Sequence, residues 1–364
     1  MAKKFNIILL LIFTTFFLTS CWDARPIDQL YLVFGIGIDT SENDQYLVTI
    51  VAPTIDPQAE AKKIEISSVS NSLRNAQDNI QNKAFRRITF NNTKLFVLGE
   101  DAAKEGIAKH IDTIIRDPEC RGTSRILVTE GRAVDLLNVE PEFTSLVSLY
   151  IYELLEQSFF TSTVPFTTSR QFYNEYLTSG IEPILPYVKK GNREDEYIIN
   201  STALFKGDKM IGVLTHDESI ALSILRSSIS DGFLTAKIED GEYFTLRSTG
   251  GKNKIKIDIK EDKIIITHEI NIKGNITELT CQRSLDEDFI KELEGILAFQ
   301  IKTMCEKVIN KLQNKYIVDS VGYGRYVKAY HPNIFDKKNW NKQFSDAEIK
   351  ITVKVDIISL GTIK

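Results

Sequence analysis

Lys254-Ile255-Lys256-Ile257-Asp258-Ile259-Lys260 alternates charge and isoleucine without a break. A period of two puts every isoleucine on one face of a β-strand and every charge on the other. A strand with one wet face suits an antiparallel sheet, because parallel sheets are covered on both sides. Ile264 to Ile276 repeats the pattern loosely, and Ile349, Ile351, Val353, Val355 and Ile357 repeat it strictly. Between these strands Asp286 opens the longest helical pattern, about 30 residues to Tyr316. Its stripe is Phe289, Leu293, Ile296, Leu297, Met304, Val308 and Leu312. A dry sheet face and a long amphipathic helix bury each other, so this half reads as an antiparallel sheet packed with a long helix.

Moving toward the N-terminus, Tyr197 to Phe205 and Met210 to Leu214 flank Lys206-Gly207-Asp208-Lys209, a hairpin pattern. Asp217 then caps a helix to about Ser228. The charged, glycine-containing stretch Lys189 to Glu196 marks a boundary between units 21–192 and 197–364. Upstream of it, strands are expected at Leu32 to Ile38, Tyr46 to Val51, Lys94 to Gly99 and Arg125 to Thr129. Pro53 to Ser68 reads as a loop, and Val69, Leu73, Ala76 and Ile80 have helical spacing. One helix runs from Asp101 through Ile115 to its stop at Pro118, with further helices at Ala133 to Leu137 and Leu146 to Leu155. This half is mixed α/β, and the chain as a whole is a multi-domain α+β protein.

The N-terminus carries a different message. Lys3 and Lys4 precede an apolar run from Phe5 to Leu18, which ends in Leu18-Thr19-Ser20-Cys21. A basic start, a short apolar core and small residues before a cysteine describe a secretory signal (1–20) with a lipobox. Cys21 then becomes the lipidated first residue, carrying S-diacylglycerol and N-palmitoyl groups. Two or more acyl chains hold a soluble domain stably on a bilayer, where one would be marginal. After the signal no stretch approaches the roughly 18 apolar residues of a membrane-spanning helix. The expected location is the outer face of a cytoplasmic membrane. The remaining 344 residues carry 43 basic and 49 acidic side chains, a net −6. That balance, with no long basic run, argues against nucleic acid and against an electrostatic clamp on anionic lipid.

No catalytic constellation emerges. Gly35-Ile36-Gly37 lacks the third glycine of a dinucleotide fingerprint at Thr40, and Gly322-Tyr323-Gly324 lacks it at Val327. His110, His216, His268 and His331 have no partner at metal or triad spacing. Asp286, Glu287 and Asp288 sit at a helix start, where they satisfy free amides and the helix dipole. Cys120, Cys281 and Cys305 form no CxxC pair, so they allow one disulfide at most and give zinc no support. Cys305 reads as a buried thiol in the long helix. The aromatics Tyr323, Tyr326, Tyr330, Phe335 and Trp340 read as core packing ahead of a binding surface. No cofactor or metal is expected.

Four separated blocks, in order behind the lipobox, together resemble the Ger(x)C spore germination lipoproteins, the C subunits of nutrient germinant receptors. The first is Cys21-Trp22-Asp23-Ala24-Arg25-Pro26-Ile27, running on to Gly35-Ile36-Gly37-Ile38-Asp39. The second is Leu98-Gly99-Glu100 through Gly106-Ile107 to Arg116-Asp117-Pro118-Glu119-Cys120-Arg121. The third is Ala203-Leu204-Phe205-Lys206 through Ile211-Gly212-Val213-Leu214-Thr215 to Glu218-Ser219. The last is Asp319-Ser320-Val321-Gly322-Tyr323-Gly324, followed by Trp340 and the final strand to Gly361. The chain departs from the family's usual residues at Pro26, where glutamate is commoner, and at Ile334-Phe335, where a tryptophan is usual. The resemblance implies three subdomains, two of them in the N-terminal half. It also implies assembly in the spore inner membrane with two polytopic subunits, A and B, and a scaffold or coupling role that is not enzymatic. Trp22, Asp23, Arg25, Arg116, Asp117 and Arg121 are the candidate structural or partner-contact residues. An importer's solute-binding lipoprotein would share the lipobox, but its largely parallel sheets do not match the half-wet strands. A surface hydrolase would need a site that the sequence does not display.

Overall fold

The structure is a computed structural model that describes residues 26–54, 62–141, 144, 146–193, 196–227, 231–261 and 263–359. The strands in chain order are β1 (Leu30–Leu32), β2 (Gly35–Thr40), β3 (Tyr46–Pro53), β4 (Lys63–Ser70), β5 (Arg87–Thr89), β6 (Leu95–Gly99) and β7 (Arg125–Thr129). They continue with β8 (Ile184–Lys190), β9 (Tyr197–Lys206), β10 (Lys209–Leu214), β11 (Phe233–Glu239), β12 (Glu242–Lys260), β13 (Lys263–Leu279) and β14 (Glu348–Ser359). The helices are α1 (Leu73–Gln81), α2 (Glu100–Glu105), α3 (Ala108–Arg116), α4 (Ala133–Asn138), α5 (Val147–Phe160) and α6 (Ser169–Leu177). After them come α7 (His216–Arg226), α8 (Glu287–Lys311), α9 (Tyr323–Tyr330) and α10 (Trp340–Asp346).

An eight-stranded sheet in the order β10-β9-β8-β7-β6-β2-β3-β4 organises the first part. Its centre, β2, β6, β7 and β8, is parallel, and antiparallel strands flank it on both sides. Side chains of β6 alternate between two cores. Phe96 and Leu98 pack with Leu73 and Ile80 of α1, Ile111 and Ile114 of α3, and Phe172 of α6. Leu95 and Val97 pack with Leu136 and Leu137 of α4 and with Ile151 and Leu155 of α5. Helices on both faces explain why Leu95–Gly99 and Arg125–Thr129 are buried at every residue. A two-stranded parallel ribbon, β1 with β5, lies outside this sheet.

The second part is a four-stranded sheet, β11-β12-β13-β14, whose dry face packs on α8. Ile264, Ile266, Ile270, Ile272 and Ile276 meet Phe289, Leu293, Leu297, Ile301, Cys305 and Val308 there. Asp286 caps α8 by accepting the Phe289 amide at 2.9 Å, and Cys305 is fully buried. Ile255, Ile257 and Ile259 reach only the margin of this core, so the strand with the clearest alternation is half-buried.

Several expectations need correction. β14 pairs with β13 in parallel, so the C-terminal sheet is mixed and not wholly antiparallel. The long path through α8, α9 and α10 supplies the crossover that a parallel return requires. Residues 63–68 of the expected loop, together with Val69 from the expected helical pattern and Ser70, form the edge strand β4, paired with β3 along its whole length. The single helix expected from Asp101 is two, because Gly106 turns the chain at φ +123°. The second, α3, is capped by Asp208 of the β9–β10 turn, whose carboxylate accepts the Ala108 amide at 3.2 Å. Thr215, not Asp217, caps α7, in a capping box with Glu218. Outside these corrections, the charged stretch near 189–196 joins β8 to β9 within one sheet.

Candidate functional site: a buried polar junction

The Gly-Tyr-Gly segment lies at the start of α9, and Asp319 shapes it. The Asp319 side chain is fully buried and accepts three N–H groups: Gly322 at 2.7 Å, Gly324 at 2.8 Å and the Trp340 indole at 2.9 Å. Burial pushes this carboxyl up, against the pull of those donors. Tyr323, between the two glycines, points into the core and shares a 2.9 Å hydrogen bond with His268 Nδ1 on β13. Burial holds His268 at about 4, so it is neutral at ordinary pH. Tyr323 and Trp340 therefore belong to the core, whereas Tyr330 is exposed.

Around Asp319 the first and second parts of the chain are tied together. The Asp319 backbone oxygen accepts the Glu182 amide at 2.9 Å. Glu182 accepts from the Asn341 side chain at 2.6 Å and from the Gly207 amide at 2.6 Å. Asn341 in turn accepts the Asp319 amide at 3.2 Å. Arg226 on α7 donates to the Ser320 carbonyl at 2.5 Å and pairs with Glu175 on α6, both side chains being only 9% exposed. Gly180, at φ +93°, lies against the Gly324 backbone, where an added Cβ would come within 2.5 Å of its carbonyl carbon. A cleft of about 390 Å³ opens beside these groups, lined by Tyr176, Gly180, Glu182, Lys337, Trp340 and Asn341. The arrangement has no nucleophile paired with a base. It is a polar lock, and its members are satisfied mainly by one another.

The other glycine-containing motif, Gly35 to Asp39, does comparable work inside the first part. Asp39 is buried and accepts the Ala133 and Val134 amides at 2.6 and 2.9 Å, capping α4 across the sheet. A side chain on Gly37 would sit 2.8 Å from Leu137 of that helix. Among the described residues, no group of three or more His, Cys, Asp or Glu could hold a metal ion. Cys120, Cys281 and Cys305 are free thiols.

Cys21, Trp22, Asp23 and Arg25 lie outside the described residues. Arg116, Asp117 and Arg121 fall close in sequence but do not form one cluster. Arg116 pairs with Asp112 at 2.7 Å and is 75% exposed. Asp117 accepts the Glu119 amide at 2.9 Å and approaches Arg74 at 3.9 Å. Arg121 lines a separate cleft with Lys94, Arg125, Tyr152 and Phe166. Reading the sequence singled out the block around Asp319 but missed Glu175, Glu182 and Arg226. Nothing local distinguishes these three from ordinary surface charges.

Two family profiles cover nearly the whole chain in order. Residues 23–190 match the spore germination protein N-terminal domain, and residues 200–361 match the spore germination B3/GerAC-like C-terminal domain. The chain belongs to the Ger(x)C family of spore germination proteins. Family members from Bacillus subtilis (strain 168) align along nearly their full lengths. Spore germination protein B3 is 23% identical over 100% of this chain and 99% of its own. Spore germination protein A3 is 27% identical over 98% of each. Spore germination protein KC is 23% identical over 98% of this chain and 95% of its own. The crystal structure of the GerBC protein superposes with a TM-score of 0.60 at 19% identity, covering 92% of this chain and all of that one. The two share a fold.

Proposed function

We propose that the protein is a lipid-anchored, non-enzymatic subunit of a nutrient germinant receptor. In this reading Cys21 carries the anchor and holds the body on the outer face of the spore inner membrane. Two polytopic subunits, of A and B type, lie beside it, and the protein serves as their scaffold or coupling element. The observation that carries the reading is the match of both germination domains, in order, across residues 23–361. No helix among the described residues is long and apolar enough to cross a membrane, which suits a tethered body. The lock around Asp319 supports coupling, because a push on one half would be passed to the other through buried bonds. We place the boundary between the two units near 192–197, although sheet pairing crosses it. Exposed Arg116 and Arg121 suit partner contact, as would Trp22, Asp23 and Arg25 beside the anchor, whereas Asp117 suits a structural role.

Cross-linked recovery of the protein from solubilised spore inner membranes tests the reading. Two polytopic subunits are expected to accompany it, and recovery of an importer permease and its ATPase would refute the assignment. Cys21→Ala should release the protein from the membrane and abolish the response to nutrient. Normal localisation and germination in that variant would remove the anchor from the account.

A further inference from the structure

The ribbon formed by β1 and β5 is parallel, with Leu30 opposite Arg87 and Leu32 opposite Thr89. Residues preceding the two strands therefore emerge at the same end. On one side these are Pro26 to Gln29, all exposed, and on the other the turn Asn82 to Arg86 after α1. This end carries Phe85, which is 85% exposed, more than any other large apolar side chain among the described residues. Ile27 is 62% exposed. Phe85 is backed edge-to-face by Tyr31, ring centres 5.4 Å apart, and the Arg86 guanidinium lies 5.4 Å from the Phe85 ring. The turn from Gln81 to Arg87 contains Lys83, Arg86 and Arg87 and no acid. Arg87 is 4.0 Å from Glu119, whereas Arg86 has no carboxylate partner among the described residues.

An exposed aromatic rimmed by arginines is the composition of a membrane-interface contact: the ring enters the acyl boundary while the guanidinium groups stay among the phosphates. The chain length fixes which bilayer. Only four residues separate Cys21 from Pro26. At no more than about 3.6 Å per residue, a lipid on Cys21 keeps Pro26 within about 18 Å of its attachment point. A body this size on so short a tether must turn the face carrying Pro26 toward the lipid. We infer that the turn Asn82 to Arg87, with Ile27 beside it, rests on the bilayer surface and sets the orientation of the whole protein. The inference depends on the anchor at Cys21. The net charge of −6 stands against general attraction to anionic lipid, but it does not describe this turn.

Full-length, lipidated protein in phosphatidylcholine–phosphatidylglycerol vesicles tests it. An environment-sensitive dye is placed at Asn82→Cys, remote in sequence from the anchor, or at Phe299→Cys, 73% exposed on α8. Cys281 and Cys305 are buried, and burial pushes the Cys120 thiol up to about 12, so background labelling should be low. The expected result is a blue shift and severalfold weaker quenching by an aqueous quencher at 82 than at 299. Phe85→Ser with Arg86→Gln should remove that protection while the protein still floats with the vesicles. Flotation with equal quenching at the two positions would overturn the docking surface and leave the anchor standing. Failure of the unaltered lipidated chain to float would overturn the anchor, and this inference with it.

Discussion

Asp319→Ala removes the acceptor that holds the Gly-Tyr-Gly turn. Three donors lose their partner at once: the Gly322 and Gly324 amides and the Trp340 indole, now at 2.7, 2.8 and 2.9 Å. Hydrogen bonds to a charged group contribute about 1.5–3 kcal/mol each, so the gross loss is about 4.5–9 kcal/mol. Removing a buried carboxylate also returns several kcal/mol of desolvation, and water entering the vacated space offsets more. The net cost expected is about 2–5 kcal/mol, a large share of the 5–15 kcal/mol typical of a folded domain. Asp319→Asn keeps one acceptor oxygen and should fall between the alanine variant and the unaltered protein. Urea unfolding followed by circular dichroism measures this, with the midpoint ordered Ala, Asn, native from lowest to highest. An alanine variant with an unchanged midpoint would show that the carboxylate does not hold the turn, and the argument for a polar lock would fail.

Arg226→Met should cost about 3–5 kcal/mol by stranding Glu175, whereas adding Glu175→Leu should restore most of it; a double variant no better than the single one would deny the pairing. Gly180→Ala places a Cβ against the Gly324 backbone at a positive φ, and should lower stability by about 2 kcal/mol or more, read as a fall in melting temperature. His110 and His268 are held at about 4 by burial, against 6.5 when exposed. Below pH 6.5 the unfolded chain takes up protons that the folded chain refuses, so stability is full above that pH and is lost as pH falls toward 4. Each histidine contributes up to about 3 kcal/mol across that window. Urea midpoints at pH 4.5 and 7 test this, and His110→Phe should reduce the difference between them; an undiminished difference would exclude His110 as a source.

Where one side chain's environment repeats along the chain, the sequence was legible. The β12 and β14 alternations, the cap and most of the stripe of α8, and the strands β6 and β7 were read correctly from local pattern, although the stripe left out Ile301 and Ile309. Strand β8 was missed, although Ile184 to Val188 is fully buried. Pro186 interrupts its pattern, and its partners lie far away in the chain. Strand β4 was missed because Lys63, Glu65, Ser67 and Ser68 suggest solvent, and only pairing with β3 makes them an edge.

The family blocks and the lipobox could be recognised before any coordinates, because a contiguous motif needs no partner to be visible. The direction of β14 could not, since a strand's side-chain period is the same whether its neighbour runs parallel or antiparallel. The junction was hidden for a related reason. Glu182 and Asn341 meet across 159 positions, and Arg226 and Glu175 across 51. The sequence by itself determined most of the elements and the family, and it supplied the expectation of an anchor, because each is written in neighbouring residues. Only the tertiary structure decided which isolated charges meet in the lock and that Phe85 emerges beside Ile27, because those encounters depend on distant segments packing together.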